Sequence, residues 1–180
     1  MLKKALAVAL MSAVATPAFS FDLNEEKRFS VGIASYATVV NYDTYYGSDD
    51  ESFSGFALFG TGAVNNNVAF RLTWANQSHE DYSAVDLTAI EGSLLAGTGL
   101  STTGFKAYGS VGFFSETLEE DGYSEEIDFS GLMLGGGIGY NWNPVSLEFW
   151  VNIRNTSDYE DYLPGDVVAV SGGLGLSARF

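Results

Sequence analysis

Asp166-Val-Val-Ala-Val-Ser-Gly-Gly-Leu-Gly-Leu-Ser-Ala-Arg-Phe180, the last stretch of a 180-residue chain, decides how the rest is read. Counting back in twos from Phe180, one parity holds Ala178, Leu176, Leu174, Gly172, Val170 and Val168. The other holds Arg179, Ser177, Gly175, Gly173, Ser171, Ala169 and Val167. Successive side chains of a strand point to opposite faces, so an apolar parity against a small or polar one marks a strand. A strand with one apolar face needs partners, and the chain upstream supplies them.

The pattern recurs in seven earlier segments. The first runs from Phe29 to Val40, with Phe29, Val31, Ile33, Ala37 and Val39 against Ser30, Gly32, Ala34, Tyr36 and Thr38. The third sets Val68, Phe70, Leu72 and Trp74 against Ala69, Arg71, Thr73 and Ala75. The fifth sets Phe105, Ala107, Gly109, Val111 and Phe113 against Lys106, Tyr108, Ser110, Gly112 and Phe114. The sixth places Leu132, Leu134, Ile138 and Tyr140 around Gly135-Gly136-Gly137. The seventh sets Val145, Leu147, Phe149, Val151 and Ile153 against Ser146, Glu148, Trp150, Asn152 and Arg154. Two segments alternate poorly. In the second, Phe53 to Val64, Phe56 and Leu58 oppose Phe53 and Phe59; in the fourth, Ala84 to Thr98, placing Glu91 off the apolar face turns Ile90, Gly92, Leu94 and Ala96 onto it.

The connections sort by length. Asn65-Asn66-Asn67, Ser101 to Gly104 and Asn141 to Pro144 read as short turns by composition. Between them lie longer acidic loops, Asn41 to Ser52, Asn76 to Ser83, Ser115 to Asp128 and Asn155 to Gly165. Membrane barrels put short turns on the periplasmic side and long loops outside. A soluble sandwich has no reason to alternate in this way.

The N-terminus reads as a secretory signal peptide over residues 1–20: Lys3 and Lys4, an apolar run from Ala5 to Thr16, then Pro17-Ala18-Phe19-Ser20. The rest, 21–180, forms a single domain. No other apolar run reaches the roughly 18 residues of a membrane helix, so membrane residence must come from strands. Without the signal, six basic residues face 23 acidic ones, which argues against nucleic acid or heparin-like partners. There are no cysteines, so disulfides and thiol chemistry are excluded, and no cofactor is implied.

The non-apolar parity carries Gly, Ser, Ala and Thr with a few ionised groups, which suits a cramped interior. Arg71, Lys106, Arg154 and Arg179 all fall on it. A cation on the lipid face near mid-membrane costs about 2–4 kcal/mol, so these side chains are expected inside. The expected lumenal network joins Arg71 and Lys106 to Glu91 and Glu148, with Tyr36 and Tyr108 as hydrogen-bonding neighbours. Arg154 is counted in the same network; it and Arg179 lie near opposite strand ends, with solvent within reach. The network reads as a polar plug or as a proton or ion path, and Trp150 adds bulk that favours the plug. Trp74 and Trp142 are placed for the two interfacial aromatic belts, or for ordinary packing.

Taken together, the signal peptide, the eight alternating strands, Gly135-Gly-Gly-Ile-Gly-Tyr140 and the ending Gly172-Gly-Leu-Gly-Leu-Ser-Ala-Arg-Phe180 resemble small eight-stranded outer-membrane barrels. The resemblance is to the OmpX/Ail type, the membrane domain of OmpA-type proteins and opacity-type porins. It implies an antiparallel up-and-down transmembrane β-barrel in a Gram-negative outer membrane, in contact with lipid and lipopolysaccharide. It also implies insertion by the barrel-assembly machinery, with Phe180, Ala178 and Leu176 as the assembly signal, and a role in adhesion, serum resistance or envelope integrity.

Eighteen of the 23 carboxylates lie in or beside the four loops, interleaved with Tyr45, Tyr46, Tyr82, Tyr123, Tyr159 and Tyr162. Such loops either bind a basic protein partner or divalent cations, or keep the surface solvated. They contain no Lys or Arg, so lipopolysaccharide phosphates would be met through bridging cations. A lipid A-modifying enzyme is the alternative, but the single His79 sits in a loop beside Ser78 without a base-and-nucleophile pattern. No catalytic or metal residue is assigned. A low-conductance pore conflicts with the narrow bore of eight strands.

Overall fold

The computed structural model describes residues 26–44, 47–82, 84–120, 127–160 and 167–180. The expected signal peptide and Tyr45, Tyr46, Tyr123 and Tyr162 lie outside these residues. Eight strands close into one antiparallel barrel in chain order. They are β1 (Phe29–Thr44), β2 (Gly47–Ala63), β3 (Val68–His79), β4 (Val85–Thr98), β5 (Gly104–Glu120), β6 (Ile127–Asn141), β7 (Val145–Arg154) and β8 (Val167–Arg179). A four-residue helix, α1 (Ser157–Glu160), follows β7. Among the described residues no helix is long and apolar enough to cross a membrane.

Closure depends on the C-terminal stretch. β8 pairs with both β7 and β1, with Leu176 opposite Ile33 and Leu147. Beyond the last ladder pair, Phe29 and Phe180 exchange two backbone hydrogen bonds, at 2.8 and 3.2 Å. Below the emerging hairpins no sheet edge is left among the described residues, as a bilayer requires.

The faces follow the parity of the sequence. Val168, Leu174 and Phe180 point outward, and Ala169, Ser171, Gly173, Gly175, Ser177 and Arg179 point inward. The two ambiguous strands resolve cleanly. Phe56 and Leu58 face lipid while Phe53 and Phe59 are buried, and Ile90 and Leu94 face lipid while Glu91 is buried.

The lipid-facing band ends sharply toward the long loops. There the outward positions switch from apolar residues to Asn41, Ser54, Asn76, Thr88, Ser115, Ser130 and Asn155. Small hydrogen-bonding side chains thus ring the barrel where it leaves the hydrocarbon, except on β8, where the outward Val168 lies opposite Asn41.

The loop boundaries need correction. Asn41–Ser52 and Ser115–Asp128 were expected as loops, yet β1 continues to Thr44, β2 starts at Gly47, β5 continues to Glu120 and β6 starts at Ile127. Likewise β3 reaches His79. A membrane strand needs about 9–11 residues, whereas β2 and β5 each have 17. The excess stands beyond the membrane as paired hairpin. Acidic composition signals contact with water but does not oppose a ladder. Ser78 donates to Asp86 at 2.8 Å and Thr117 to Asp128 at 2.7 Å, each across two strands.

The interior is filled by a few large rings seated against glycine. A Cβ on Gly175 would lie 2.7 Å from the Phe59 ring and 2.9 Å from Trp150, and one on Gly173 would lie 3.0 Å from Trp150 and Tyr36. This explains why the inward parity of β8 is small. A Gly175→Val variant is expected to lose about 1–3 kcal/mol through overpacking, read as a lower urea midpoint of the barrel refolded in lipid vesicles.

Candidate functional site

Inward side chains at two heights carry the lumenal charge. Toward the short turns, Arg71 on β3 is 5% exposed. It donates to Glu148 Oε2 at 2.7 Å, Tyr108 Oη at 2.8 Å and Thr61 Oγ1 at 3.1 Å. Lys106 Nζ lies 3.2 Å from the same Glu148 oxygen and donates to Ser146 at 3.0 Å. Tyr108 also donates to Glu148, at 3.0 Å.

Toward the long loops a second cluster centres on Arg154, also buried. Its guanidinium bonds Glu91 at 2.7 Å, Glu116 through Nη1, and Ser171 Oγ at 3.1 Å. Tyr36 donates to Glu91 at 2.6 Å, and Tyr159 of α1 donates to Glu116. By formal charge the first cluster has two cations on one carboxylate and the second has one cation on two. The six groups together cancel.

Rings separate and cap the charges. The Arg71 guanidinium carbon lies 5.1 Å from the Phe59 and Trp150 ring centres, and that of Arg154 lies 4.7 Å from Phe114. Both are within cation–π range. Between the clusters a void of about 10 Å³ touches Arg71, Glu91 and Trp150, which is room for about one water.

The turn end is closed separately. Arg179 donates to the carbonyls of Ser101 at 2.8 Å, Thr102 at 3.2 Å and Trp142 at 3.2 Å. Asn141 donates to Gly99 at 2.6 Å and Thr102 at 2.9 Å. These bonds tuck the β4–β5 turn beneath the barrel, where Ser101 is fully buried.

Several expectations need revision. Glu91 is ion-paired with Arg154, not with Arg71 or Lys106. Arg154 and Arg179 do not reach solvent; they are 3% and 4% exposed. The placement of Arg154 follows from Glu116, whose carboxylate was assigned to an acidic loop although it continues the inward parity of Gly112 and Phe114. Tyr159, expected on display, is buried and stacks on Phe129 at 4.6 Å. Burial pushes its phenol well above the usual tyrosine range, and the neighbouring Glu116 pushes it the same way.

His79 is not a free loop histidine. It faces inward, 7% exposed, and Nδ1 accepts the backbone N–H groups of Asp81 at 3.0 Å and Tyr82 at 3.1 Å. The ring proton is therefore on Nε2, which lies 2.5 Å from Glu51 Oε2. Ser78, its sequence neighbour, points outward to Asp86, so the two do not meet.

Outside, Trp74 stacks edge-on against Phe56 at 5.6 Å, one outward position below Asn76 of the polar ring. Trp142 sits beside Tyr140 at a short turn, 4.8 Å between ring centres. Phe180, Ala178 and Leu176 lie on the lipid-facing parity of β8.

A closed eight-stranded barrel with an apolar girdle and a charged, filled interior defines a small outer-membrane protein. The chain belongs to the outer membrane protein beta-barrel domain family, whose model matches residues 6–180, and it resides in the outer membrane of a Gram-negative bacterium. Solved structures share the fold at low identity. Ail, the attachment invasion locus protein of Yersinia pestis, is 21% identical over 87% of this chain and 100% of its own, with a TM-score of 0.56. Neisserial surface protein A is 15% identical over 84% and 97%, with a TM-score of 0.55. OprG from Pseudomonas aeruginosa is 16% identical over 87% and 97%, with a TM-score of 0.54. No curated protein matches the sequence.

Arg154→Met leaves two buried carboxylates uncompensated, and an expected loss of about 3–5 kcal/mol follows. Arg28→Ala removes an exposed pair with Glu26 and is expected to change stability by less than about 1 kcal/mol. Urea unfolding in lipid vesicles checks both.

Proposed function

We propose that this barrel is a non-enzymatic surface protein whose acidic hairpins bind a cationic partner outside the cell. The observation that carries the reading is continued strand pairing beyond the polar ring. It places Asp49, Asp50, Glu51, Asp86, Glu119 and Asp128 on ordered β-hairpins. Fixed carboxylates lose less side-chain and backbone freedom on binding than carboxylates on a coil, which favours affinity.

The charge sets the sign of the partner. Ail has been crystallised with the heparin analogue sucrose octasulfate, a polyanion. The stretches 41–52, 76–83, 115–128 and 155–165 here contain no Lys or Arg, so the partner is a basic protein surface, or divalent cations bridging to lipopolysaccharide phosphates.

The test compares cells displaying the intact barrel with cells whose hairpins are cut back to short turns at the polar ring. Basic matrix proteins are offered with and without calcium and at rising salt. Binding to the intact form that weakens with salt and disappears on trimming, while both forms run as heat-modifiable folded barrels, supports the proposal. Equal binding by the two forms contradicts it and shifts the role to envelope structure.

The filled lumen supports a plug rather than a pore. Planar bilayers holding the purified barrel are expected to show no steady conductance, and an ohmic conductance would contradict the plug. The assembly role assigned to Phe180, Ala178 and Leu176 is part of the same proposal. Deleting Phe180 removes the backbone pair with Phe29, and an expected fall in heat-modifiable protein in the outer-membrane fraction checks it.

A further inference from the structure

The extracellular mouth of the barrel holds a cavity of about 340 Å³. That volume lies within the range of small-molecule sites. Leu87, Leu118, Ile127 and Phe129 line its walls, and Tyr159 with the Glu116 carboxylate bounds it toward the lumen. Its other polar residues are His79, at the end of β3, Glu51, in the emerging part of β2, and the exposed Tyr82. No Lys or Arg is among the lining residues.

The polar groups differ in what they can still accept. Glu116 is consumed by Arg154 and Tyr159. Glu51 faces no Lys or Arg: it meets the His79 Nε2–H and the Tyr42 hydroxyl, at 3.2 Å, and its side chain stays 36% exposed. It is thus a carboxylate at the edge of an apolar chamber with acceptor capacity left over.

The level beneath is incompletely satisfied. Gln77, 1% exposed, is one inward position below His79 and pairs in register with the wall residue Leu87. Neither of its amide atoms has a hydrogen-bond partner among the described residues, and neither does Thr38 Oγ1, across from Phe53. Buried unmade hydrogen bonds are costly, so this level favours water that supplies them; Gln77 and Thr38 lie below the cavity and are not among its lining residues.

We infer that this cavity is a binding site for a small apolar molecule bearing an ammonium group, with the apolar body among Leu87, Leu118 and Phe129 and the ammonium at Glu51. An apolar carboxylate is excluded by the same charge, since it would set two anions together with no cation lining the site. The site shares Glu51 with the acidic hairpins, but its apolar chamber is its own and its occupancy does not depend on the partner proposed above.

The test is calorimetric titration of octylamine, octanol and octanoate into the intact barrel in lipid nanodiscs, with empty nanodiscs subtracted to remove partition into lipid. The expected result is saturable binding of one octylamine per barrel, about tenfold or more tighter than octanol, and no binding of octanoate. Leu118→Trp and Val85→Phe both fill the chamber, and each is expected to weaken octylamine at least about tenfold. Glu51→Gln is expected to bring octylamine down to the octanol affinity while leaving octanol unchanged. Heat-modifiable migration confirms that each variant is folded, and two filling variants guard against the failure of one. Octylamine heats equal to those of empty nanodiscs, affinities unchanged in both folded filling variants, or octanoate binding as tightly as octylamine would each overturn the proposal.

Discussion

The Arg154 guanidinium, held between Glu91 and Glu116 and buried with them, shows the constraint under which the barrel is built. Closing eight strands creates an interior just wide enough for side chains. Charge placed there must be cancelled within hydrogen-bond distance or it destabilises the fold by several kcal/mol. Three cations and three carboxylates meet that requirement in two clusters, and Tyr36, Tyr108 and Ser171 add further hydrogen bonds, although Glu148 Oε1 has no hydrogen-bond partner among the described residues. Everything large in the lumen is then fitted around them. Phe59 and Trp150 stack against Arg71, and the inward parity of β8 is cut down to Gly173 and Gly175 to admit their rings.

Strand number, closure and facing were legible in the sequence because period two is set by backbone geometry alone. The alternation around Val145–Arg154 and Asp166–Phe180 needed no knowledge of partners, and the cations on the inward parity were unaffordable in lipid. What was not legible came from reading polarity as irregular structure. Glu116 and His79 lie in acidic stretches, yet both sit on strands that run past the membrane, where water accepts the outward side chains and the ladder continues. Missing Glu116 left Arg154, although counted in the lumenal network, without its second carboxylate. The pairing within the network depended on heights around a tilted barrel, which strand order alone does not give.

The same architecture divides the molecule functionally. The lumen is stable and closed, with Arg179 and Asn141 securing the turn end and Tyr159 entering from the other. The surfaces proposed for binding are therefore those that stand outside the polar ring and the chamber just inside the mouth. Acidic hairpins and an apolar chamber edged by Glu51 share one sign of charge, which is the common basis of the two binding proposals.

The most direct check on the account is the exchange with water of the Arg154 and Arg71 guanidinium Nε–H protons, followed by NMR on the barrel in lipid nanodiscs. A sealed, charge-cancelled lumen predicts resolved resonances that exchange far more slowly than that of the exposed Arg28. Exchange of all three at the same rate would mean that water reaches the clusters freely, and would contradict both the plug and the placement of function at the extracellular surface.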